Sequence, residues 1–209
     1  MFSLVISAEL AVDIFFWLSA FLSSYYLLIK MNDNDGNIGS YLKIYFARIA
    51  RLWPLYCFAL LFFWKFLVLF GGDGPMFYMY ETASECGKYW MWHLLFINNL
   101  IPWTAKDTCM NWTWYLANDM QFFLIIPLLV TLYYRKRQVF SILMAGIAFI
   151  SVVIQMCVIL ANSLSVSYFT YKDEYWSIYY VKPYARIPGC LIGVLCGCTY
   201  YSFRREHPE

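Results

Sequence analysis

Two arginines and three isolated charges are the residues of this chain whose types and spacing could do chemistry. Arg48 and Arg51 stand three positions apart, which brings both guanidinium groups to one face of a helix. Pro54 follows closely enough to bend or loosen that helix. Guanidinium forks suit phosphate, each charge-assisted hydrogen bond contributing roughly 1.5–3 kcal/mol. A pair of arginines beside a membrane also serves as a topology signal or a lipid-headgroup contact, and spacing does not separate these roles.

Asp13, Lys65 and Asp119 form the second group, each inside an apolar stretch. An ionisable side chain in a bilayer costs roughly 2.5–3.5 kcal/mol on insertion scales and usually faces a protein interior. Counted from the ends of their stretches, their depths come to roughly 5, 8 and 10 Å at about 1.5 Å per residue. Matched depths in the outer half of a membrane predict one buried cluster, with Lys65 compensating two carboxylates whose repulsion would otherwise raise a pKa. The same residues fit a plainer arrangement, in which Lys65 snorkels outward and each Asp accepts a helix-packing hydrogen bond.

The elements that must position these groups follow from composition. Of 209 residues 62% are hydrophobic and 13% charged, whereas a soluble domain carries about 25% charged residues. So few charges cannot cover a water-soluble surface, and the chain reads as an all-α, polytopic membrane helix bundle. Five stretches are long and apolar enough to cross a hydrocarbon core of about 30 Å: Leu10–Ile29, Leu52–Phe70, Trp112–Tyr134, Val139–Ala161 and Ile187–Phe203. Trp90–Trp103 is shorter and carries His93, Asn98, Asn99 and Pro102, so it reads as one interfacial or re-entrant segment. Its tryptophans suit the headgroup zone.

Lys30, Lys43, Arg48 and Arg51 precede the second span, Arg135-Lys136-Arg137 joins the third to the fourth, and Arg204 and Arg205 follow the fifth. Between Gly71 and Asn111 only Lys88 and Lys106 are basic. That asymmetry predicts a non-cytoplasmic N-terminus and Gly71–Asn111 loop, with a cytoplasmic C-terminus. The Asn162–Arg186 loop, with Lys172, Lys182 and Arg186 against Asp173 and Glu174, is less decisive. The membrane is the plasma membrane or an endomembrane. A net charge of +2, with basic residues tied to span ends, argues against nucleic acid as a partner.

Cys57, Cys157, Cys190, Cys196 and Cys198 fall within or beside apolar segments, where a thiol acts as a small hydrophobe. Cys86 and Cys109 alone share the outer loop, and an oxidising compartment would let them pair. Asn111-Trp112-Thr113 is a glycosylation sequon by pattern, set against the start of a span, which makes Asn111 a glycosylation candidate. The N-terminus lacks a basic start and Asp13 interrupts its apolar run, so no cleavable signal peptide is expected. Gly71-Gly72-Asp73-Gly74-Pro75 reads as a loop turn. No repeat, second domain or metal-ligand pattern stands out.

Four runs occur in order: Val12–Leu28 with its Val-Asp-Ile-Phe-Phe start, Tyr45–Tyr56 with Arg-x-x-Arg, Trp112–Leu129, and Tyr180–Gly197. Together they resemble the acyltransferase 3 family of membrane proteins, and within it the nose-resistant-to-fluoxetine-like subgroup. The Asn-Asp-Met-Gln-Phe-Phe run and the Cys86 and Cys109 flanking the Trp-rich segment point to the subgroup. The resemblance implies an acyl-CoA-binding role for Arg48 and Arg51 at the cytoplasmic face, and it supports a Cys86–Cys109 disulfide. It overlays the family's Trp-Ser-Leu-x-x-Glu pattern on Trp114 to Asp119, with Tyr115 where the family has Ser.

The family domain has about ten helices and opens with a helix carrying an Arg and the histidine held to be catalytic, just upstream of the segment at which this chain begins. His93 and His207 match neither position. The resemblance therefore implies that residues 1–209 are a partial domain, without the family's first helix and its C-terminal helices, whose catalytic residue is unknown. The implied function is a membrane-bound acyltransferase moving an acyl group from acyl-CoA to a hydroxyl-bearing acceptor. Its partners are the lipid bilayer, acyl-CoA as donor substrate and that unidentified acceptor, with no bound cofactor. The alternatives are a non-enzymatic carrier or binding protein for lipids or hydrophobic small molecules, and an inactive fragment.

Overall fold

A computed structural model describes residues 2–33, 38–66, 69, 77–103, 109–164 and 175–207, and its regular structure is helical. The Gly71–Pro75 turn, Lys106 and the charges Lys172, Asp173 and Glu174 lie outside the described residues. In chain order the helices are α1 (Phe2–Asp33), α2 (Ile38–Leu61), α3 (Phe77–Leu94), α4 (Trp114–Arg135), α5 (Arg137–Ala161) and α6 (Pro183–Glu206). A π-helical turn, Phe62–Phe66, continues α2, a 3₁₀ turn, Asn111–Thr113, leads into α4, and a second π turn, Trp176–Tyr180, precedes α6.

Among the described residues four helices are long and apolar enough to cross a membrane: Ala11–Asn32, Lys43–Phe66, Asn111–Arg135 and Arg137–Ala161. The second span thus begins at Lys43, not at the expected Leu52, and it takes Arg48 and Arg51 inside the apolar helix. The fifth expected span, Ile187–Phe203, falls within α6, which is 24 residues long. It is the least apolar of the long helices for a packing reason. α6 is held in the centre by α1, α4 and α5, where small residues serve better than large apolar ones. Conversely, α5 is almost uniformly apolar and faces outward, with Ile142, Phe149 and Leu160 between 70% and 76% exposed. Such a surface requires a lipid environment.

α1, α4 and α6 run parallel, with Phe16 against Trp114 and Phe122, and Tyr25 beside Arg204. α5 runs antiparallel to α6, so that Gln155 reaches the Tyr184 carbonyl. The main core fills this four-helix group with Phe16, Leu28, Phe122, Val130, Met144 and Val194. α1 and α6 approach most closely of all. Gly193 and Gly197 face α1 backbone, where an added Cβ would meet the Trp17 carbonyl oxygen at 2.3 Å and the Ser24 hydroxyl at 2.0 Å.

α2 and α3 form a flank with its own small core, in which Leu60 and Phe63 pack on Ala83, Cys86, Cys109 and Met110. The expected disulfide is there: Cys86 and Cys109 are bonded, S–S 2.04 Å, 23 residues apart. Both cysteines are fully buried. Cross-linking a loop of that size contributes about 3 kcal/mol on the chain-entropy model, so reductant is expected to lower the unfolding midpoint of the purified protein in detergent. A midpoint that does not move in reductant, with both thiols shown free by alkylation, would contradict this.

The Trp90–Trp103 segment does not span. α3 ends at Leu94 and the chain continues in turns to Trp103, with a cis Ile101–Pro102 bond. Those turns are fixed from two sides. Gln121 of α4 donates to the Phe96 carbonyl and to Asn99, while Lys182, fully buried, donates to the Asn99 and Trp103 carbonyls at 2.8 and 2.9 Å.

Candidate functional site

The charges expected in one cluster are divided between two arginines. Asp119, 7% exposed on α4, is ion-paired with Arg48 of α2 and accepts a 2.6 Å hydrogen bond from the Ser19 hydroxyl of α1. Arg48 also donates weakly to Ser19 and Ser23, each at 3.4 Å, and its guanidinium lies 4.1 Å from the centroid of the Phe123 ring. Three helices therefore meet at one buried carboxylate. The arrangement satisfies both oxygens of Asp119, as a buried charge requires.

Asp13 lies further toward the N-terminal end of α1 and pairs with Arg186 of α6 at 2.9 Å. Arg186 is the better buried partner, its side chain 8% exposed against 42% for Asp13. Its Nε donates to the Tyr180 carbonyl, and its guanidinium lies 4.2 Å from the Tyr180 ring centroid and 5.6 Å from that of Trp114. Lys65 joins neither pair. It is exposed on the π turn, its ammonium 4.0 Å from the Trp64 ring centroid. The cluster of Asp13, Lys65 and Asp119 is thus corrected: depth along a span fixes one coordinate, and the face of the helix, which decides contact, is a second. Among the described residues Lys65 has no ion-pair partner, and its exposure fits the snorkelling alternative.

Arg48 and Arg51 do share a face, as their spacing implies. Both line a cavity of about 680 Å³ between α1, α2 and α4, with Ser19, Ser23, Asp119 and Tyr115 among its polar walls and Phe15, Leu18, Leu22 and Leu116 among its apolar ones. Both also line a second cavity of about 380 Å³, which runs along α1 to Tyr26 and Lys30. The two arginines differ in what holds them. Arg48 is committed to Asp119, whereas Arg51 is exposed and, among the described residues, has no ion-pair partner. Tyr115, where the family motif carries Ser, projects into the larger cavity and packs edge-on against Phe15.

His93 sits apart, behind the disulfide. It is 1% exposed, shares a 2.7 Å hydrogen bond between Nδ1 and the Tyr56 hydroxyl, and is further held by the backbone of Cys109. Burial lowers its pKa from 6.5 to about 4. The folded state therefore refuses a proton that the unfolded chain binds between those values. Stability is full above pH 6.5 and falls by about 3 kcal/mol as the pH drops to about 4. Denaturation midpoints measured across that range should show the loss, and His93→Gln should flatten it. An equal slope in the variant would assign the loss to other groups.

Asn111, the glycosylation candidate, is half-buried at the 3₁₀ turn beside the bonded Cys109. Among the described residues no three His, Cys, Asp or Glu side chains gather where they could hold a metal ion. Arg186 and the glycines of α6 were not legible as site-forming residues from charge counting. Their cue is the compact Arg-Ile-Pro-Gly run with glycine recurring every fourth residue from Gly189 to Gly197.

Comparison with known proteins agrees with this architecture. The acyltransferase 3 family, described as an acyltransferase domain, matches residues 1–208. The chain is 30% identical to nose resistant to fluoxetine protein 6 of Caenorhabditis elegans, over 92% of this chain and 25% of that protein. It is 26% identical to regulator of hypoxia-inducible factor 1 of the same organism, over 91% of this chain and 40% of that protein. The chain thus spans a quarter to two fifths of the curated relatives it matches. No solved structure matches it. With the family match reaching every residue but the last, the protein belongs to the acyltransferase 3 family of membrane proteins.

Proposed function

We propose that the complete protein moves an acyl group from acyl-CoA to a hydroxyl-bearing acceptor, with Arg51 and Arg48 forming the donor side of the site. The observation that carries this reading is the shared wall: both arginines line two adjoining cavities whose other walls are largely apolar. Phosphates of the donor suit the exposed Arg51 fork, and the acyl chain suits the leucine and phenylalanine walls. Arg48 contributes mainly through Asp119, fixing the cavity's shape. In the transfer the acceptor oxygen attacks the thioester carbonyl, an ester forms, the C–S bond breaks, and the thiolate leaves with the acceptor's proton. By family resemblance a histidine upstream of the Val12–Leu28 run takes that proton first, a step that contributes 10²–10⁴-fold in rate.

The donor reading places the Lys30 end of α1 in the cytoplasm and Lys88 of α3 on the opposite side, consistent with the basic span ends. The test is donor binding by the full-length protein. Arg51→Glu is expected to abolish acyl-CoA binding while leaving the fold intact, and Arg51→Lys to weaken it partly, since Lys keeps the charge and loses the fork. Unchanged binding and transfer in Arg51→Glu would return the arginine to a topology signal. The apolar cavity walls also fit a carrier of lipids or hydrophobic molecules. That reading is favoured if ligand binds in the larger cavity and no acyl transfer accompanies it.

A further inference from the structure

On the opposite face of α1 from the Arg48 and Arg51 cavities, the C-terminal ends of α1 and α6 enclose a groove of about 240 Å³. It is lined by Tyr25, Ile29, Asn32, Tyr201, Arg204 and Arg205. Tyr25, Ile29 and Asn32 recur at helical spacing, and they face away from Ser23, Tyr26, Leu27 and Lys30, which line the cavity on the other side. No carboxylate is among the lining residues. Arg204 donates to the Tyr25 hydroxyl at 3.3 Å, which holds the guanidinium over the groove, and Arg205 has no ion-pair partner among the described residues. The Asn32 amide and the Tyr201 hydroxyl add neutral hydrogen-bonding groups, and Ile29 supplies an apolar floor. Nearby, Arg137 of α5 reaches Ser202 of α6 at 3.4 Å, so positive charge continues around this end of the bundle.

We propose that this groove binds a phosphate group at the membrane surface, that of an anionic phospholipid headgroup seated between α1 and α6. Two guanidinium forks facing a pocket without a carboxylate, with tyrosine and amide groups between them, match the acceptor-only chemistry of a phosphate. Its position at the ends of two spanning-length helices sets it at headgroup level. The site is separate from the donor site proposed above and does not depend on it.

The experiment places the full-length protein in nanodiscs of phosphatidylcholine and measures retention of phosphatidylglycerol by native mass spectrometry and by thermal shift. Removing general surface attraction weakens lipid association by roughly fivefold per basic residue, so Arg135→Gln, at the C-terminal end of α4, serves as the control. Arg205→Gln and the double Arg204→Gln, Arg205→Gln variant are expected to lose well over tenfold each, with unchanged unfolding midpoints in phosphatidylcholine alone. If inorganic phosphate alone gives the same arginine-dependent shift and phosphatidylglycerol gives none, the groove binds phosphate from solution. Losses equal to that of Arg135→Gln, or no loss, would overturn the site.

Discussion

Gly193→Ala should unfold or grossly destabilise the bundle, although it adds one methyl group to a helix and alanine is the better helix former. The added Cβ would lie 2.3 Å from the Trp17 carbonyl oxygen and 2.8 Å from the Ala20 Cβ. The first of these is backbone, which cannot swing aside, so α1 and α6 must separate along their whole contact. Overpacking a well-fitted core costs typically 1–3 kcal/mol, and with backbone as the obstacle this site belongs at or above the top of that range. Gly197→Ala should be nearly as damaging, since it meets the Phe21 carbonyl oxygen at 2.8 Å as well as the Ser24 hydroxyl. Gly189→Ala, at 3.4 Å from the Asp13 carbonyl oxygen, should be mild, and Gly146→Ala on α5, with open space around it, should be neutral or stabilising by up to about 1 kcal/mol. Detergent-solubilised yield and unfolding midpoints give the order. A midpoint for Gly193→Ala equal to that of Gly146→Ala would show that the two helices do not approach as described.

Asp119→Ala is the second large effect. Removing one partner of a buried ion pair leaves the other charge uncompensated, at a cost of 3–5 kcal/mol when burial is complete. Arg48 is 21% exposed and keeps Ser19 and Ser23 as acceptors, so about 3 kcal/mol is expected. Asp119→Ala combined with Arg48→Met should recover much of the loss, because the stranded charge goes with its partner. Asp13→Ala should also be costly, because it strands Arg186, whose side chain is 8% exposed and which, among the described residues, keeps only the Tyr180 carbonyl as an acceptor. A double-mutant cycle that gives additive losses for Arg48 and Asp119 would show the pair to be energetically idle.

Much of the bundle was legible because bilayer thickness imposes length and apolarity on each span. The disulfide was legible because Cys86 and Cys109 share one loop. The pairing of charges was not, since a linear count gives depth but no azimuth. Asp13, Lys65 and Asp119 count to similar depths along the sequence, yet Asp13 pairs with α6 well before Ser19, the α1 residue that bonds Asp119, and the π turn carries Lys65 to the surface. α3 was hidden for another reason. Phe77–Leu94 mixes Glu, Ser, Gly and Lys among its aromatics, so it shows neither a spanning run nor a clean amphipathic stripe, and its packing on α2 comes from the disulfide-centred core. Arg186 reads as a loop charge in the sequence because apolarity begins at Ile187, one residue after it.

The junction of α1 with α6 also governs how the chain can be made. Asp13 and its partner Arg186 are separated by 173 residues, and ribosomes add about 5–20 residues per second. For roughly 10–35 s after Asp13 leaves the ribosome, its carboxylate and the glycine-matched face of α1 have no partner to meet. α1 meets α4 before then, through Phe16 and Ser19, but its Asp13 carboxylate and glycine-matched face stay open until α6 arrives. Ribosome stalling before Gly189 should therefore leave α1 exposed to quality-control proteases, and stalling well after Glu206 should not.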